Sequence, residues 1–177
     1  MKSNTDSGFC NSVPTWNACI YKIGDLGPAG GKVFYVTNDG THGLESAPAD
    51  IGQMQWGCNG ATISGATATS FGSGYTNTIA ILANCGDSNI AATMAKRYVL
   101  NGFSDWYLPS RDEMKLLHAN RFIVGGFVYP GSYWTSSDVG NSTGQNAWFQ
   151  HFGTDEMMKW DTFKYNATLY VRPIRQF

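Results

Sequence analysis

The chain has 177 residues, 42% of them hydrophobic and 14% aromatic, so it is long enough to bury one core and too short for two ordinary domains. Its 21 glycines and its charged fraction of 14% favour a compact, loop-rich body and exclude a disordered polyelectrolyte. A formal net charge of −1 gives no general attraction to nucleic acid or anionic lipid, and no apolar run reaches the ~18 residues of a membrane span.

A polar extension and a buried strand come first along the chain. Residues 1–19 are polar and irregular, so we expect an N-terminal extension followed by a single domain over residues 20–177. The run "KVFYVT" lies between the turn sequences "GPAGG" and "NDG" and predicts a buried strand. "GPAGG" lacks the Lys-Ser/Thr ending of a phosphate loop, so we interpret it as a turn. The small-residue stretch from Gly40 to Gly74 is expected to be mostly loop.

Two helical patches follow. Spacings of three and four residues predict one apolar face in each of them. The faces comprise Ile79, Leu82 and Ala83 in "NTIAILANC", and Ile90, Met94 and Tyr98 in "NIAATMAKRYVLNG". Gly102 is expected to cap the second helix at its C-terminus.

A third helix and several strands complete the chain. In "LPSRDEMKLL", Ser110 and Glu113 have the spacing of a capping box, and the helix is expected to end at Gly125 and Gly126. The later segments "SYWTSS", "NAWFQHF" and "TLYVRPI" are short and rich in residues that favour strands. Helices followed by strands predict the α+β class.

Four cysteines without a C-x-x-C pair give little support for a zinc site. Two disulfides are the favoured interpretation, with Cys10 joined to Cys19 and Cys58 joined to Cys85, since each pair closes a local loop. The alternative is four buried thiols in a cytosolic protein.

Seven blocks of the chain, in order and with compatible spacing, resemble the bacterial surface-protein family typified by the C-terminal domain of the Legionella collagen-like adhesin. The blocks are "YKIGDLGPAGGKVFYV", "HGLESAPAD", "QWGC", "NGFSDWYLPSRDEM", "SYWTSS", "NAWFQHF" and "LYVRPIRQF". The resemblance implies a C-type lectin-like fold, similar to that of the formylglycine-generating enzyme. The same fold serves as the variable protein of diversity-generating retroelements. Its last strands are then expected to present a ligand-binding face.

The candidate site lies in and after "NAWFQHF". Alternation along a strand sends Phe149 and His151 outward if Trp148 and Phe152 belong to the core, as we also expect for two further tryptophans, Trp106 and Trp134. The following mixture of aromatic, Met and charged residues has the composition of a recognition surface. The predicted ligand-binding residues are Phe149, His151, Thr154, Asp155, Glu156, Met157, Met158, Lys159, Trp160, Thr162, Phe163 and Tyr165.

The first interpretation is a non-enzymatic ligand-binding protein, extracellular or displayed on a cell or virus surface, that recognises a protein partner. Burial of Trp160, Phe163 and Tyr165 would drive binding. In retroelement variable proteins the diversified codons precede a C-terminal framework strand, here "TLYVRPIRQF", so diversification of this segment is a hypothesis. The alternative is an adhesin domain for sulfated polysaccharide, with a homotrimer implied by the collagen-like relatives.

Basic residues bear on that alternative. Lys96, Arg97, Lys115 and Arg121 form either a modest basic patch or, as we favour, a solvated helix face. Arg172 and Arg175 are expected to pair with Asp105 or Asp112 in a structural role, rather than to bind an anionic sugar.

The sequence offers no catalytic pattern. The formylglycine-generating enzyme depends on cysteine chemistry near the C-terminal part of its fold, and this chain has no cysteine after Cys85. His42, His118 and His151 are scattered. The calcium motifs of sugar-binding C-type lectins are absent from the sequence. We therefore expect no enzyme activity, no cofactor, no nucleic-acid partner and no direct membrane insertion, and we leave a structural cation open.

Overall fold

The structure, a computed structural model, describes residues 19–153, 163–165 and 167–177. These residues form a mixed α+β arrangement of four helices and two small sheets, which confirms the predicted class. The helices are α1 (Gly74–Asn84), α2 (Ala91–Arg97), α3 (Arg111–Ala119) and α4 (Arg121–Val124). The strands are β1 (Lys32–Val36), β2 (Gly43–Ser46), β3 (Gln53–Met54), β4 (Ser132–Asp138), β5 (Ala147–His151), β6 (Leu169–Tyr170) and β7 (Ile174–Gln176).

The two sheets join the early and late parts of the chain. The first has the order β1-β2-β7, with all pairs antiparallel. The second has the order β3-β6-β4-β5, and only β4 and β6 run parallel in it. The C-terminal strands therefore pair with strands from the first third of the domain.

Strand β1 and helix α3 form where the sequence predicts them. The Ser110 hydroxyl accepts a hydrogen bond from the Glu113 amide at 3.3 Å, and the Glu113 carboxylate accepts one from the Ser110 amide at 2.7 Å, which completes the capping box. Helix α3 ends at Ala119, and α4 then carries the chain to Gly125. The predicted stop is confirmed, with one interruption at Asn120.

The predicted apolar face of α1 is wrong. Ile79 is exposed, whereas Asn77 and Thr78 are fully buried. The Asn77 amide donates to the Ala68 carbonyl at 2.7 Å, and the Thr78 hydroxyl accepts from the Leu108 amide at 3.1 Å. Polar side chains face inward here because they form hydrogen bonds with the backbone of loops that pack on the helix. The spacing of apolar residues along the helix does not predict such contacts.

Helix α2 confirms its predicted apolar face in part, because Ile90 at its N-cap is buried in the core and the other two predicted residues are only partly buried. Its buried side is made by Ala91, Ala92 and Ala95, and the helix ends at Arg97, before Gly102. Small side chains let the helix approach the core closely. The stretch from Gly40 to Gly74 also holds β2 and β3, which the sequence did not predict because both are short and polar.

The core consists of large aromatic residues with satisfied polar ends. Trp56, Trp106 and Trp134 are buried, and their indole N–H groups donate to the carbonyls of Thr135, Phe103 and Met54 respectively. Phe152 is also buried, as expected, whereas Trp148 is only partly buried. Each indole thus fills volume without leaving a buried donor unpaired.

A disulfide joins Cys58 to Cys85, with a Cα–Cα distance of 5.5 Å, as predicted. Cys10 lies outside the described residues, so its bridge to Cys19 stays a prediction, and so does the N-terminal extension. None of the helices in the part of the chain that the structure describes has the length and hydropathy needed to cross a membrane.

Candidate functional site

Residues 163–165, which lie between β5 and β6 in the chain, have a burial pattern opposite to the one that their side chains would suggest. Lys164 is 0% exposed, while its neighbours Phe163 and Tyr165 are 47% and 60% exposed. A charged side chain is normally the exposed one of such a trio. The backbone here directs the cation into the core and both aromatic rings toward solvent.

The buried ammonium group of Lys164 has three partners. Its ammonium donates to the Asp138 carboxylate at 2.7 Å and to the Ala61 carbonyl at 2.8 Å, and lies 4.5 Å from the centre of the Trp56 ring. Burial lowers the pKa of Lys164, and the hydrogen bond to Asp138 opposes that effect. The arrangement is a buried ion pair supported by a further hydrogen bond and a ring contact, which is the form that proteins tolerate.

Asp138 extends this network into the neighbouring loops. Its carboxylate also accepts from the amides of Ile63 and Gly140, both at 2.9 Å. Four segments therefore meet at one carboxylate: the end of β4, the loop after it, the loop after Cys58, and the C-terminal residues around Lys164. The aromatic pair Phe163 and Tyr165 is consequently attached to a rigid base.

The backbone fixes both flanks of the segment 154–162. On the C-terminal side, Phe163 pairs with Asn146, and the Lys164 amide donates to the Gln145 carbonyl at 2.9 Å. On the N-terminal side, the Gly153 amide donates to His151 Nδ1 at 3.0 Å, and its carbonyl accepts from the Tyr129 hydroxyl at 3.1 Å. The predicted recognition segment thus begins and ends at anchored residues.

Phe149 corrects one of the site predictions. It is 8% exposed and packs against Trp134, with ring centroids 6.3 Å apart, so it belongs to the core and not to an outer face. Phe152, on the opposite side of the strand, also lies in a core cluster. Both faces of β5 are covered, so the alternation of residues along this strand does not distinguish a solvent-exposed face from a buried one.

The other predicted residues divide into two groups. His151 is partly buried, and its Nδ1 serves as an acceptor, which places the ring proton of the neutral form on Nε2. Phe163 and Tyr165 are exposed. The remaining predicted residues lie outside the described residues and stay predictions: Thr154, Asp155, Glu156, Met157, Met158, Lys159, Trp160 and Thr162.

The C-terminal arginines make internal ion pairs. Arg175 binds Asp105 through Nε at 2.7 Å and Nη2 at 2.9 Å, and binds Glu45 through Nη1 at 2.8 Å. Arg172 binds Asp50 through Nε at 2.7 Å. The expected pairing with Asp105 is confirmed, whereas Asp112 bonds to other residues, namely Arg111 and Lys115.

The "GPAGG" turn binds a carboxylate of its own chain. The amides of Ala29 and Gly31 donate to the two oxygens of Glu45 at 3.1 and 2.8 Å, and Glu45 is fully buried. A side chain added at Gly31 would collide with this group and with the carbonyl of Ser46. The turn is therefore a structural anion cradle that is already filled, in agreement with its interpretation as a turn.

Several basic residues on the helices also have partners. Lys96 donates to the Ser104 carbonyl at 2.9 Å, Lys115 lies 3.5 Å from Asp112, and Arg121 stacks on the ring of Phe122. These contacts agree with a solvated helix face better than with a free basic patch.

The one grouping of candidate metal ligands within the described residues is Cys58, Cys85 and Asp87. Both sulfurs form the disulfide, and the Asp87 carboxylate accepts from the Cys58 amide at 2.8 Å. This donor set is committed to structure. Comparison of the chain with protein-family models and with curated proteins found no match.

Proposed function

We propose that the protein is a non-enzymatic ligand-binding protein with a C-type lectin-like fold, whose C-terminal surface recognises a protein partner. The exposure of Phe163 and Tyr165 on either side of the buried Lys164 carries the proposal. Two exposed aromatic rings on a fixed base, next to a segment rich in aromatic, Met and charged residues, have the composition of a protein-binding surface. The order of the sequence blocks and the α+β arrangement support the fold assignment.

The binding mechanism rests on desolvation of aromatic rings that are already held in place. Tyrosine and phenylalanine bury a large area while few rotatable bonds become ordered, and such residues dominate the energetics of interfaces. The Asn146–Phe163 bridge and the Lys164–Asp138 pair hold the backbone beneath them. Little ordering free energy then opposes binding, so most of the desolvation contributes to affinity.

The segment 154–162 contributes the variable part of this surface in our proposal. It supplies Trp160, two Met and four charged side chains between the anchored residues Gly153 and Phe163. A scaffold that is fixed at both flanks tolerates sequence change between them, which is what diversification by a retroelement requires. The gene neighbourhood tests this hypothesis: a reverse transcriptase gene and a near-copy of the final segment should lie beside the gene.

An extracellular location, on a cell or virus surface, belongs to the same proposal. The Cys58–Cys85 disulfide supports it, because structural disulfides persist mainly in oxidising compartments.

A panel of purified extracellular proteins provides the direct test. The protein is screened against the panel, and each hit is measured again with the double variant Phe163→Ala, Tyr165→Ala. We expect binding to fall at least about tenfold, as for hot-spot residues, with an unchanged melting temperature. The matched control is Phe122→Ala, Ile123→Ala, which removes two exposed apolar side chains from α4.

Equal binding by both double variants would contradict the proposal. Ionic strength separates the alternative function: a sulfated polysaccharide should lose affinity steeply as salt is raised, whereas aromatic recognition should persist.

A further inference from the structure

A polar cleft of about 710 Å³ opens beside Tyr165, at the edge of the second sheet. Three segments line it, and we call residues 53–55 its floor, the turn of residues 87–90 one wall, and Tyr165 with Thr168 the other wall. Its polar lining includes Gln53, Gln55, Asn59, Asp87, Asn89 and Tyr165. The volume lies within the ~300–1,000 Å³ that is usual for small-ligand sites.

The walls of the cleft are fixed to one another. The Cys58–Cys85 disulfide crosses from the loop that carries Asn59 to the turn that carries Asn89, and the Asp87 carboxylate accepts from the Cys58 amide at 2.8 Å. The opposite wall is tied to the floor, because the Gln55 side-chain amide donates to the Tyr165 carbonyl at 2.7 Å. The cleft is therefore preorganised and does not need a ligand to assemble it.

The floor residues also form hydrogen bonds with the core of the protein. The Gln55 carbonyl accepts from the Ala91 amide at 2.9 Å, and the Met54 carbonyl accepts from the Trp134 indole at 2.8 Å. Strand β3 pairs with β6 on its other side. Gln53, in β3, and Gln55, directly after it, thus lie on a segment whose position is set by the core.

The chemistry of the lining matches a polyhydroxylated ligand. Each Asn and Gln side chain presents two donors and an acceptor group in one plane, which suits adjacent hydroxyl groups that both donate and accept. Tyr165, 60% exposed at the rim, offers an apolar ring face for the C–H surface of a sugar ring together with a polar tip.

The charge of the lining narrows the class of ligand. None of the described residues that line the cleft is basic, and Asp87 is acidic. Asp87 would repel an anionic sugar, and the described lining residues supply no cation to compensate. We propose that this cleft is a binding site for a neutral saccharide. The proposal is independent of the protein-binding surface, because it rests on Gln53, Asn59 and their neighbours, and only Tyr165 is shared.

Protein-observed NMR tests the proposal on the intact chain. The probes are glucose, galactose, N-acetylglucosamine and maltose, with a sulfated heparin disaccharide as the anionic comparison. We expect at least one neutral probe to cause saturable shifts of the side-chain amide signals of Gln55, Asn59 and Asn89. The heparin disaccharide should not shift them.

Two exposed glutamines in strands provide a matched pair of variants. Gln53→Ala in β3 removes a cleft amide, and Gln176→Ala in β7 removes an equivalent amide from the other sheet. Gln53→Ala should weaken binding of the neutral probe about fivefold, the effect of one lost hydrogen bond, and Gln176→Ala should leave it unchanged. Asn59→Ala should act like Gln53→Ala.

Three results would overturn the proposal: no saturable shift with any neutral probe, shifts caused only by the sulfated probe, or equal weakening by Gln53→Ala and Gln176→Ala. Since neither Gln53 nor Asn59 belongs to the proposed protein-binding surface, these results leave the test of that surface unaffected.

Discussion

The ammonium group of Lys164 lies 2.7 Å from the carboxylate of Asp138, and both side chains are closed to solvent. This pair connects the end of β4 to residues 163–165, which carry the exposed rings. The charged residue is thus the structural one, and its aromatic neighbours are available for contact with a ligand. The stability of the pair and the availability of the rings can be measured separately.

Replacing Lys164 by Met should lower the free energy of unfolding of the protein. The substitution leaves Asp138 buried without its cation, and breaking a buried pair in this way lowers the free energy of unfolding by about 3–5 kcal/mol. Urea unfolding followed by circular dichroism measures the loss. The control is Lys115→Met, which removes a partly exposed pair with Asp112 and should change stability by about 1 kcal/mol or less. Similar values for the two variants would argue against the role of Lys164 in the core.

Phe149 and Phe163 should respond in opposite ways to the same substitution. Phe149→Ala opens a cavity beside Trp134 and should lower the free energy of unfolding by about 3–5 kcal/mol. Phe163→Ala removes a half-exposed ring and should lower it by less than about 1 kcal/mol. Thermal and urea unfolding of the two variants decide the matter. A large loss with Phe163→Ala would place that ring in the core and remove it from the proposed site.

Removing the disulfide should destabilise the domain and loosen the polar cleft. Cys58 and Cys85 are separated by 27 residues, and a crosslink that closes a loop of this length contributes about 3–4 kcal/mol in the chain-entropy model. The double variant Cys58→Ala, Cys85→Ala should show this loss in urea. Alkylation of the unreduced wild-type protein should leave the mass of the peptides that contain these two cysteines unchanged. A mass increase would show free thiols.

Asp105 should make stability depend on pH in the acid range. Its hydrogen bonds from Arg175 lower the pKa of the carboxyl in the folded state below its ordinary value of 3.8. Stability from this pair is therefore present above the ordinary pKa and is lost as the pH falls through the lowered one. As the pH is lowered from about 5, the free energy of unfolding should therefore fall less steeply in Asp105→Asn than in the wild type. Because Asp105 is half exposed, added salt should shrink the difference. If the free energy of unfolding of the two proteins depended on pH in the same way, the assigned role of Asp105 would be contradicted.

Sequence patterns correctly predicted those helices and strands that are specified by interactions between neighbouring residues. The capping box of Ser110 and Glu113 specifies the start of α3, because the two groups satisfy each other within one turn. The apolar run of β1 and the C-terminal β-type segments also form strands. The predicted face of α1 was wrong and that of α2 was incomplete, because apolar spacing does not identify buried polar residues such as Asn77 and Thr78 or the small alanines of α2.

The candidate site shows the same division. Composition indicated an aromatic recognition surface near the C-terminus, and the exposure of Phe163 and Tyr165 agrees with that indication. No local pattern singled out Lys164 or Asp138, although alternation along an extended segment requires an inward lysine once both its neighbours point outward. The polar cleft brings residues 53–59, 87–90 and 165–168 together, and no spacing along the chain connects these three segments.

The sequence by itself determined the α+β class, the capped third helix, the local Cys58–Cys85 bridge and the ion-pairing role of Arg175, since each depends on neighbouring residues or on charges that must be neutralised. Only the tertiary structure decided that both faces of β5 are covered, which residue of "FKY" is buried, and which amides share a cleft. The physical reason is that burial depends on what packs against a residue. In this protein the covering elements are loops and strands from distant parts of the chain.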